Sequence, residues 1–232
     1  MNLEYIKVIA FDADDTLWVN ETFYQDCEKE FCDLLKEFLP EKDVSAELLK
    51  TEINNLDLYG FGAKSFILSM IETALKITGN SLPGPIIQKI IILGKELIDR
   101  PIELLDTIEP VLITLKKTYK LILATKGDLL DQQRKLNKSG LYELFDHIEI
   151  MSDKKESDYS EMLKRLNIKP DEFLMAGNSL KSDIIPVLNI GGKAVYIPYH
   201  ITWAHEKTGT EGHTKTYFEI ARLTELLTLL PV

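Results

Sequence analysis

The sequence predicts an α/β fold: a doubly wound parallel sheet of about five strands into which an all-helical domain is inserted. Two observations lead to this prediction. From residue 106 onward, short apolar runs alternate with segments of helical periodicity, as in a parallel sheet with crossover helices. Between residues 19 and 100, by contrast, the apolar spacing is helical throughout. The insert therefore separates the first strand from the others.

The first strand is predicted over Tyr5 to Phe11, a short apolar run of the kind buried in parallel sheets. Three carboxylates follow it at once, those of Asp12, Asp14 and Asp15. They must lie past the carboxyl end of the strand, where open α/β sheets bind ligands. Three carboxylates this close together repel one another unless a cation or hydrogen bonds offset their charge.

The insert is predicted to contain four helices, ending near Pro40, Leu58, Ile77 and Asp99. We interpret residues 19–100 as a helical cap domain, and residues 1–18 with 101–232 as the core that contains the sheet. Because the insert leaves and re-enters the sheet near the three carboxylates, it is expected to be able to cover them.

The remaining strands are predicted to alternate with helices in a doubly wound, Rossmann-like sheet. The predicted strands are Lys120–Thr125, His147–Met151, Glu172–Ala176 and Lys193–Pro198. The predicted helices are Glu109–Thr118, Leu129–Ser139, one on the face of Tyr159 and Leu166, Lys181–Leu188 and Tyr217–Leu229.

Composition limits the classes of partner. The formal net charge of −10 disfavours nucleic acid, which requires clustered Lys and Arg. No apolar run approaches the roughly 20 residues that span a bilayer. Cys27 and Cys32 have neither zinc-site nor redox-motif spacing, so we expect a reduced, cytoplasmic setting. The sequence leaves open whether the chain is a monomer or a homodimer.

The run from Asp12 to Thr16 (D-A-D-D-T) resembles the D-x-D-x-[TV] motif of the haloacid dehalogenase-like superfamily. Segments similar to the other three motifs follow in order, each at a predicted strand end: Thr125, Lys154 and the loop Gly177 to Asp183. The resemblance covers residues 5–18 and about 106–200, and it implies a core of this fold with an inserted cap.

When a carboxylate attacks a phosphomonoester, both groups are negatively charged. The reaction therefore requires a metal that neutralises the carboxylate and the phosphate, and a second group that protonates the leaving oxygen. We assign Asp12 as the nucleophile and Asp14 as the general acid and base, roles that the resemblance also implies. It further implies Mg²⁺ bound by the Asp12 carboxylate and the backbone carbonyl of Asp14. A general acid needs a raised pKa. Asp15 is interpreted as a turn residue or N–H acceptor.

The second and third motifs supply phosphate-binding groups. Thr125 would donate its hydroxyl to a non-bridging phosphate oxygen, and Lys126 offers positive charge beside it. A lysine must also span the nucleophile and the phosphate. Lys154 is chosen because an aromatic residue, Tyr159, follows shortly after it, as the resemblance implies. Lys155 remains the alternative, since the usual Lys-Pro is missing.

The fourth motif departs from the family pattern, because Asn178 stands where the first Asp of G-D-S-x-x-x-D is expected. An amide oxygen can bind Mg²⁺ but brings no negative charge. We expect Asn178 to bind the metal through its oxygen and Asp183 to orient it or a water molecule.

The leading prediction is a Mg²⁺-dependent phosphatase of a small phosphorylated metabolite. A haloacid dehalogenase needs neither a metal nor the acid at Asp14, so both features argue against it. A phosphomutase would keep all four motifs and stays open. A phospho-ligand-binding module with impaired catalysis is also open, and Asn178 is the feature in its favour.

Overall fold

The computed structural model describes residues 3–206 and 216–231. The chain divides into two compact units. The described residues of Met1–Val19, Ile102–Lys126 and Gln132–Val232 form the sheet unit, and Asn20–Pro101 with Gly127–Asp131 form the helical unit.

The sheet unit is built on six parallel strands, which confirms the α/β prediction and adds a strand to it. The strands are β1 (Val8–Phe11), β2 (Lys120–Lys126), β3 (His147–Met151), β4 (Phe173–Gly177), β5 (Lys193–Tyr196) and β6 (Phe218–Glu219). The helix predicted over Tyr217–Leu229 is wrong at its start. Phe218 and Glu219 pair with β5 instead, because a free strand edge competes with a helix for their backbone groups.

The strand order is β3-β2-β1-β4-β5-β6. The chain moves outward in one direction from β1 to β3 and returns to place β4 on the other side of β1. The sheet therefore has its topological switch point between β1 and β4, where open α/β sheets bind ligands.

Alternate residues of the central strands enter two different cores, as the two-residue period of a strand requires. Ile9 and Phe11 of β1 pack into a core that includes Ile108. Val8 and Ala10 pack on the opposite face, in a core that includes Tyr159. Both faces of the sheet are covered, which explains the nearly continuous apolar sequence of these strands.

Helices complete the sheet unit. They are α5 (Ile108–Leu115), α6 (Leu129–Ser139, of which the first residues belong to the helical unit), α7 (Glu156–Arg165), α8 (Ile185–Asn189) and α9 (Leu226–Leu229). The helix predicted over Lys181–Leu188 is a π-helical turn, Leu180–Ile184, followed by α8. Wide turns of this kind occur frequently at functional sites.

The helical unit contains four helices around a core of its own. They are α1 (Glu21–Leu35), α2 (Glu41–Tyr59), α3 (Ala63–Ile77) and α4 (Gly84–Asp99). Helices α3 and α4 approach closely at Gly94, where an added Cβ would lie 2.2 Å from the Ile67 side chain. In the part of the chain that the structure describes, no helix has the length and apolarity needed to cross a membrane.

Candidate active site

The carboxyl ends of β1, β2 and β4 lie side by side and carry three of the predicted site residues. Asp12 follows β1, Thr125 is the penultimate residue of β2, and Asn178 follows β4. The N–H of Asp12 donates to the carbonyl of Ala176 at 2.9 Å, so strand pairing extends to Asp12 itself. This pairing fixes the Asp12 backbone at the switch point of the sheet.

The turn after β1 holds its carboxylates in fixed positions. Asp15 has a left-handed backbone with φ of +62°, which Asp tolerates better than most residues. Its N–H donates to the carbonyl of Trp18 at 2.7 Å. This geometry agrees with the expectation that Asp15 serves the turn.

A buried lysine joins two carboxylates from different strand ends. Lys154 Nζ donates to Asp12 Oδ1 at 2.5 Å and to Asp183 Oδ1 at 2.7 Å, and all three side chains are buried. Asp183 lies directly over Gly177, where an added Cβ would come 2.3 Å from its Oδ2. The glycine of the fourth motif is therefore required by a close approach of side chain to backbone.

The structure separates the two lysine candidates of the third motif. Lys154 reaches Asp12, whereas the Lys155 side chain is 73% exposed and pairs with Asp153 at 3.0 Å. The N–H of Lys154 also donates to Asp153 at 2.8 Å, which fixes the backbone that aims Lys154 inward.

The cluster of Asp12, Lys154 and Asp183 carries one negative charge in excess when all three groups are ionised. Burial raises the pKa of Asp12 above its usual value, Lys154 opposes this, and the charge of Asp183 adds to the increase. Burial lowers the pKa of Lys154, but its two carboxylate partners outweigh burial and raise it, so the ammonium persists. A buried excess of negative charge of this kind favours an additional cation.

Asp14 is held by donors that the sequence did not reveal. Trp18 Nε1 donates to Oδ1 at 2.7 Å, Gln132 Nε2 to Oδ2 at 3.0 Å, and Lys135 Nζ to the two oxygens at 2.8 and 3.0 Å. Burial raises the pKa of Asp14, but Lys135 and the neutral donors outweigh burial and hold it below its usual value. The raised pKa that a general acid needs is thus absent in this arrangement.

Gln132 links Asp14 to the end of β2. Its Nε2 also donates to Thr125 Oγ1 at 2.8 Å and lies 2.9 Å from the carbonyl of Lys126. Because the Thr125 oxygen accepts this bond, its hydroxyl hydrogen can be donated to a ligand. Gln132 Oε1 is buried and has no hydrogen-bond partner among the described residues. A buried polar atom without a partner costs about 1–3 kcal/mol of folding stability, which indicates a functional reason for this placement.

Lys126 is engaged by an acid that sequence reasoning missed. Its Nζ donates to Glu206 Oε1 at 2.5 Å and to Ser182 Oγ at 2.8 Å. Glu206 Oε2 accepts from Ser179 at 2.5 Å and from Ser182 at 2.7 Å. Lys126, predicted to bind phosphate, therefore lies at the end of β2 in an ion pair with Glu206.

This ion pair predicts an acid-sensitive contribution to stability. Burial raises the pKa of Glu206, but Lys126 and the two serine hydroxyls outweigh burial and lower it from 4.5 to about 2. A lowered pKa in the folded state stabilises the protein above pH 4.5, and the effect is lost as pH falls towards 2. Glu206→Gln should reduce the free energy of unfolding at pH 7 by up to about 3 kcal/mol.

The measurement is urea unfolding at pH 7 and pH 3, with the exposed Glu161→Gln as the matched control. The difference between wild type and Glu206→Gln should shrink at pH 3, and Glu161→Gln should change little at either pH. A difference that is equal at the two pH values would contradict the assignment.

Oxygen atoms suited to Mg²⁺ converge beside Asp12. Thr16 Oγ1 lies 3.1 Å from Asp12 Oδ2 and 3.4 Å from Asn178 Oδ1, so these two oxygens share one hydroxyl neighbour. Carboxylate, amide and carbonyl oxygens are ligands that Mg²⁺ accepts, and the excess negative charge favours a cation. The residues present therefore fit the metal, although residues 3–206 and 216–231 contain no group of three His, Cys, Asp or Glu side chains arranged to hold one.

Sequence reasoning missed Gln132, Lys135 and Glu206. One signal was available for the first two. They lie three residues apart on the helix that directly follows Thr125, and residues at this spacing share a helix face. Glu206 follows a segment without periodicity, so no comparable signal existed.

The sequence that carries the charged residues at the strand ends was compared with known protein families, and one family model matches most of the chain. The model of the haloacid dehalogenase-like hydrolases matches residues 6–191. The chain belongs to this family. A solved haloacid dehalogenase-like family hydrolase from Xanthomonas campestris is 34% identical, with a TM-score of 0.85, and the alignment covers 95% of this chain and 88% of that chain.

Curated relatives of this chain include phosphatases. A glyceraldehyde 3-phosphate phosphatase of Methanothermobacter thermautotrophicus is 30% identical over 50% of this chain and 55% of its own length. An N-acylneuraminate-9-phosphatase of Mus musculus is 32% identical over 39% of each chain. The chain thus spans between two fifths and just over half of the length of these relatives.

One further structure shares the fold. A putative hydrolase of the family from Bacillus subtilis, solved bound to magnesium, has a TM-score of 0.65 at 19% identity and covers 97% of this chain and 98% of its own. At this identity, the likeness establishes the fold alone.

Proposed function

We propose that this hydrolase is a Mg²⁺-dependent phosphatase that cleaves a small phosphorylated metabolite through an aspartyl-phosphate intermediate. The observation that carries the proposal is the placement of the Asp12 carboxylate at the switch point, with the Lys154 ammonium 2.5 Å away. An ionised carboxylate beside a fixed cation can attack phosphorus while the cation stabilises the charge that develops. The phosphatase names of the relatives agree with it.

In this mechanism each residue has a distinct task. Asp12 attacks the phosphorus, and Lys154 keeps Asp12 ionised while binding the transferred phosphoryl group. Thr125, with its oxygen held by Gln132, donates its hydroxyl to a non-bridging oxygen. Asp14, after it has taken up a proton from solvent, protonates the leaving oxygen and later removes a proton from the water that hydrolyses the intermediate.

The Asp12 carboxylate, the backbone carbonyl of Asp14 and the Asn178 amide oxygen would hold Mg²⁺, with Asp183 orienting the loop. When bound, the ion neutralises charge on the phosphate and on Asp12. Asp183 receives the N–H of Ser179 at 2.9 Å, which fixes the loop that carries Asn178. We further propose that the helical insert, residues 19–100, is the cap that selects the leaving group.

Asn178→Asp should strengthen Mg²⁺ binding by about tenfold, because a carboxylate adds the ligand charge that the amide lacks. Isothermal titration of the metal into each protein measures this without turnover. Asn167→Asp is the matched control, because it makes the same chemical change at an exposed residue that is not part of the proposed site. Equal Mg²⁺ affinity of wild type and Asn178→Asp would remove Asn178 from the ligand set.

The function is tested by a hydrolysis screen over small phosphomonoesters, with Mg²⁺ and with a chelator. We expect phosphate release that requires Mg²⁺. Transfer of phosphate between positions of a sugar, with a bisphosphate needed for priming, would indicate the phosphomutase instead. Binding of phosphomonoesters without release would indicate the binding module.

A further inference from the structure

The helix that follows β2 places two donors on Asp14. Gln132 and Lys135 lie three residues apart on α6 and therefore share a face. Both reach the Asp14 carboxylate, and Lys135 Nζ lies 2.8 Å from Oδ1 and 3.0 Å from Oδ2. The Lys135 side chain is 16% exposed, so this ion pair is largely shielded from water.

The hydrogen-bonding capacity of Asp14 is full in this arrangement. A carboxylate has about four lone-pair positions. Trp18 occupies one, Gln132 a second, and Lys135 accounts for two contacts. Asp14 cannot contact the ester oxygen of a substrate unless at least one of these donors is released, and release of Lys135 frees the most capacity.

The position of Lys135 also brings it near the substrate. A general acid must come within about 2.6–3.2 Å of the oxygen it protonates. Lys135 Nζ is 2.8 and 3.0 Å from the two oxygens of Asp14, so before either side chain moves an ester oxygen that approaches this carboxylate to that range is within about 6 Å of Nζ. A group one or two bonds beyond the ester carbon is therefore within reach of the ammonium.

The other lysines of the site have carboxylate partners that serve no proton transfer. Lys154 is bound by Asp12 and Asp183, and Lys126 is bound by Glu206. Displacing either lysine would leave a carboxylate of the protein without its counter-charge. Lys135, in contrast, is paired with the acid that has to reach the ester oxygen, so its partner is the one whose release serves the reaction.

We propose that Lys135 determines specificity by binding a carboxylate of the substrate, carried on the carbon next to the ester oxygen, and thereby releases Asp14 to the ester oxygen. The substrate class is the phosphate ester of a small hydroxy acid. The catalytic consequence rests on the phosphatase function proposed above, whereas recognition of the carboxylate by Lys135 does not. The exchange of partners makes and breaks no covalent bond.

The test compares two esters of equal carbon number, 2-phosphoglycolate and ethyl phosphate, which differ in the carboxylate. kcat/KM is measured for both with wild type, Lys135→Met and the control Lys138→Met, which removes an exposed charge one turn along the same helix. Lys135→Met removes the ammonium that would bind the carboxylate and leaves Asp14 equally available to both esters, so the change in the ratio of the two kcat/KM values reports the carboxylate-dependent effect of Lys135.

Wild type and Lys138→Met should prefer 2-phosphoglycolate by about tenfold or more, the effect of one hydrogen bond between charged groups. In Lys135→Met the ratio should fall to about one or below. A wild-type ratio near one, or a ratio that Lys135→Met leaves unchanged, would overturn the proposal and show that Lys135 only positions Asp14.

Failure of the phosphatase function has a different signature. In that case wild type hydrolyses none of the esters, including p-nitrophenyl phosphate, and the same comparison is made by titration calorimetry on the Asp12→Asn background. Binding of 2-phosphoglycolate that weakens about tenfold or more on adding Lys135→Met, while ethyl phosphate binding does not, supports the proposal without turnover. Equal binding of both esters before and after this change overturns it.

Discussion

Asp12→Asn should reduce phosphomonoester hydrolysis about a thousandfold or more while the protein stays folded. The amide is a poor nucleophile towards phosphorus, and the second carboxylate on Lys154 is held away from this role. Asp183, the other carboxylate bound by Lys154, is 1% exposed and is held by the N–H of Ser179. The measurement is phosphate release at saturating substrate, together with the urea unfolding curve of the variant.

Asp15→Asn is the matched control for this change. It removes the same charge from the same turn, and Asn adopts the left-handed backbone of Asp15 as readily as Asp. Asp15 is buried, but Asn has the same size and can keep the same backbone, so activity should stay within about threefold of wild type. Equal losses in the two variants would mean that the turn needs negative charge in general and that Asp12 is not the nucleophile.

The positions of Asp12, Thr125 and Asn178 could be predicted because parallel strands share an edge. Once the apolar runs are identified as strands, the residues that follow them must meet there. The choice between Lys154 and Lys155 required the structure, because neighbouring residues of a loop point in directions that the sequence does not determine.

The donors around Asp14 could not be predicted for a related reason. Helical spacing indicates that Gln132 and Lys135 share a face, but the neighbour of that face depends on how α6 packs on the sheet. The lowered pKa of Asp14 follows from this packing. The resemblance implies that Asp14 transfers the proton, and under our proposal the packing of α6 determines how readily Asp14 is released to do so.

Glu206 and β6 mark the limit of reasoning from pattern. Glu206 belongs to no periodic segment, β6 lies in a segment for which the sequence predicts a helix, and both are positioned by partners distant in the chain. Glu206 binds Lys126 and Ser182, and β6 completes the sheet beside β5. Interactions of this kind depend on the folded surface that the rest of the chain presents.

Lys154→Met should lower both activity and stability, because Lys154 is the cation that Asp12 and Asp183 share. Its removal leaves two buried carboxylates without a counter-charge, which should decrease the free energy of unfolding by about 3–5 kcal/mol. Hydrolysis should fall about a thousandfold, since the charge that develops on the phosphoryl group loses its stabilising ammonium. Urea unfolding and phosphate release measure the two effects, and Lys155→Met, which removes an exposed lysine, should change stability by less than about 1 kcal/mol.

The structural and catalytic parts of this effect separate in Lys154→Met combined with Asp183→Asn. The second change removes one of the two unpaired carboxylates and should restore part of the lost free energy of unfolding, because buried unpaired charges are the source of that loss. Activity should stay at the level of Lys154→Met, since the amide introduced by the second change restores no cation beside Asp12. If stability and activity recovered together, Lys154 would act through folding alone. If Lys155→Met were the inactive variant, the lysine of the third motif would be Lys155 and the assignment of Lys154 would be wrong.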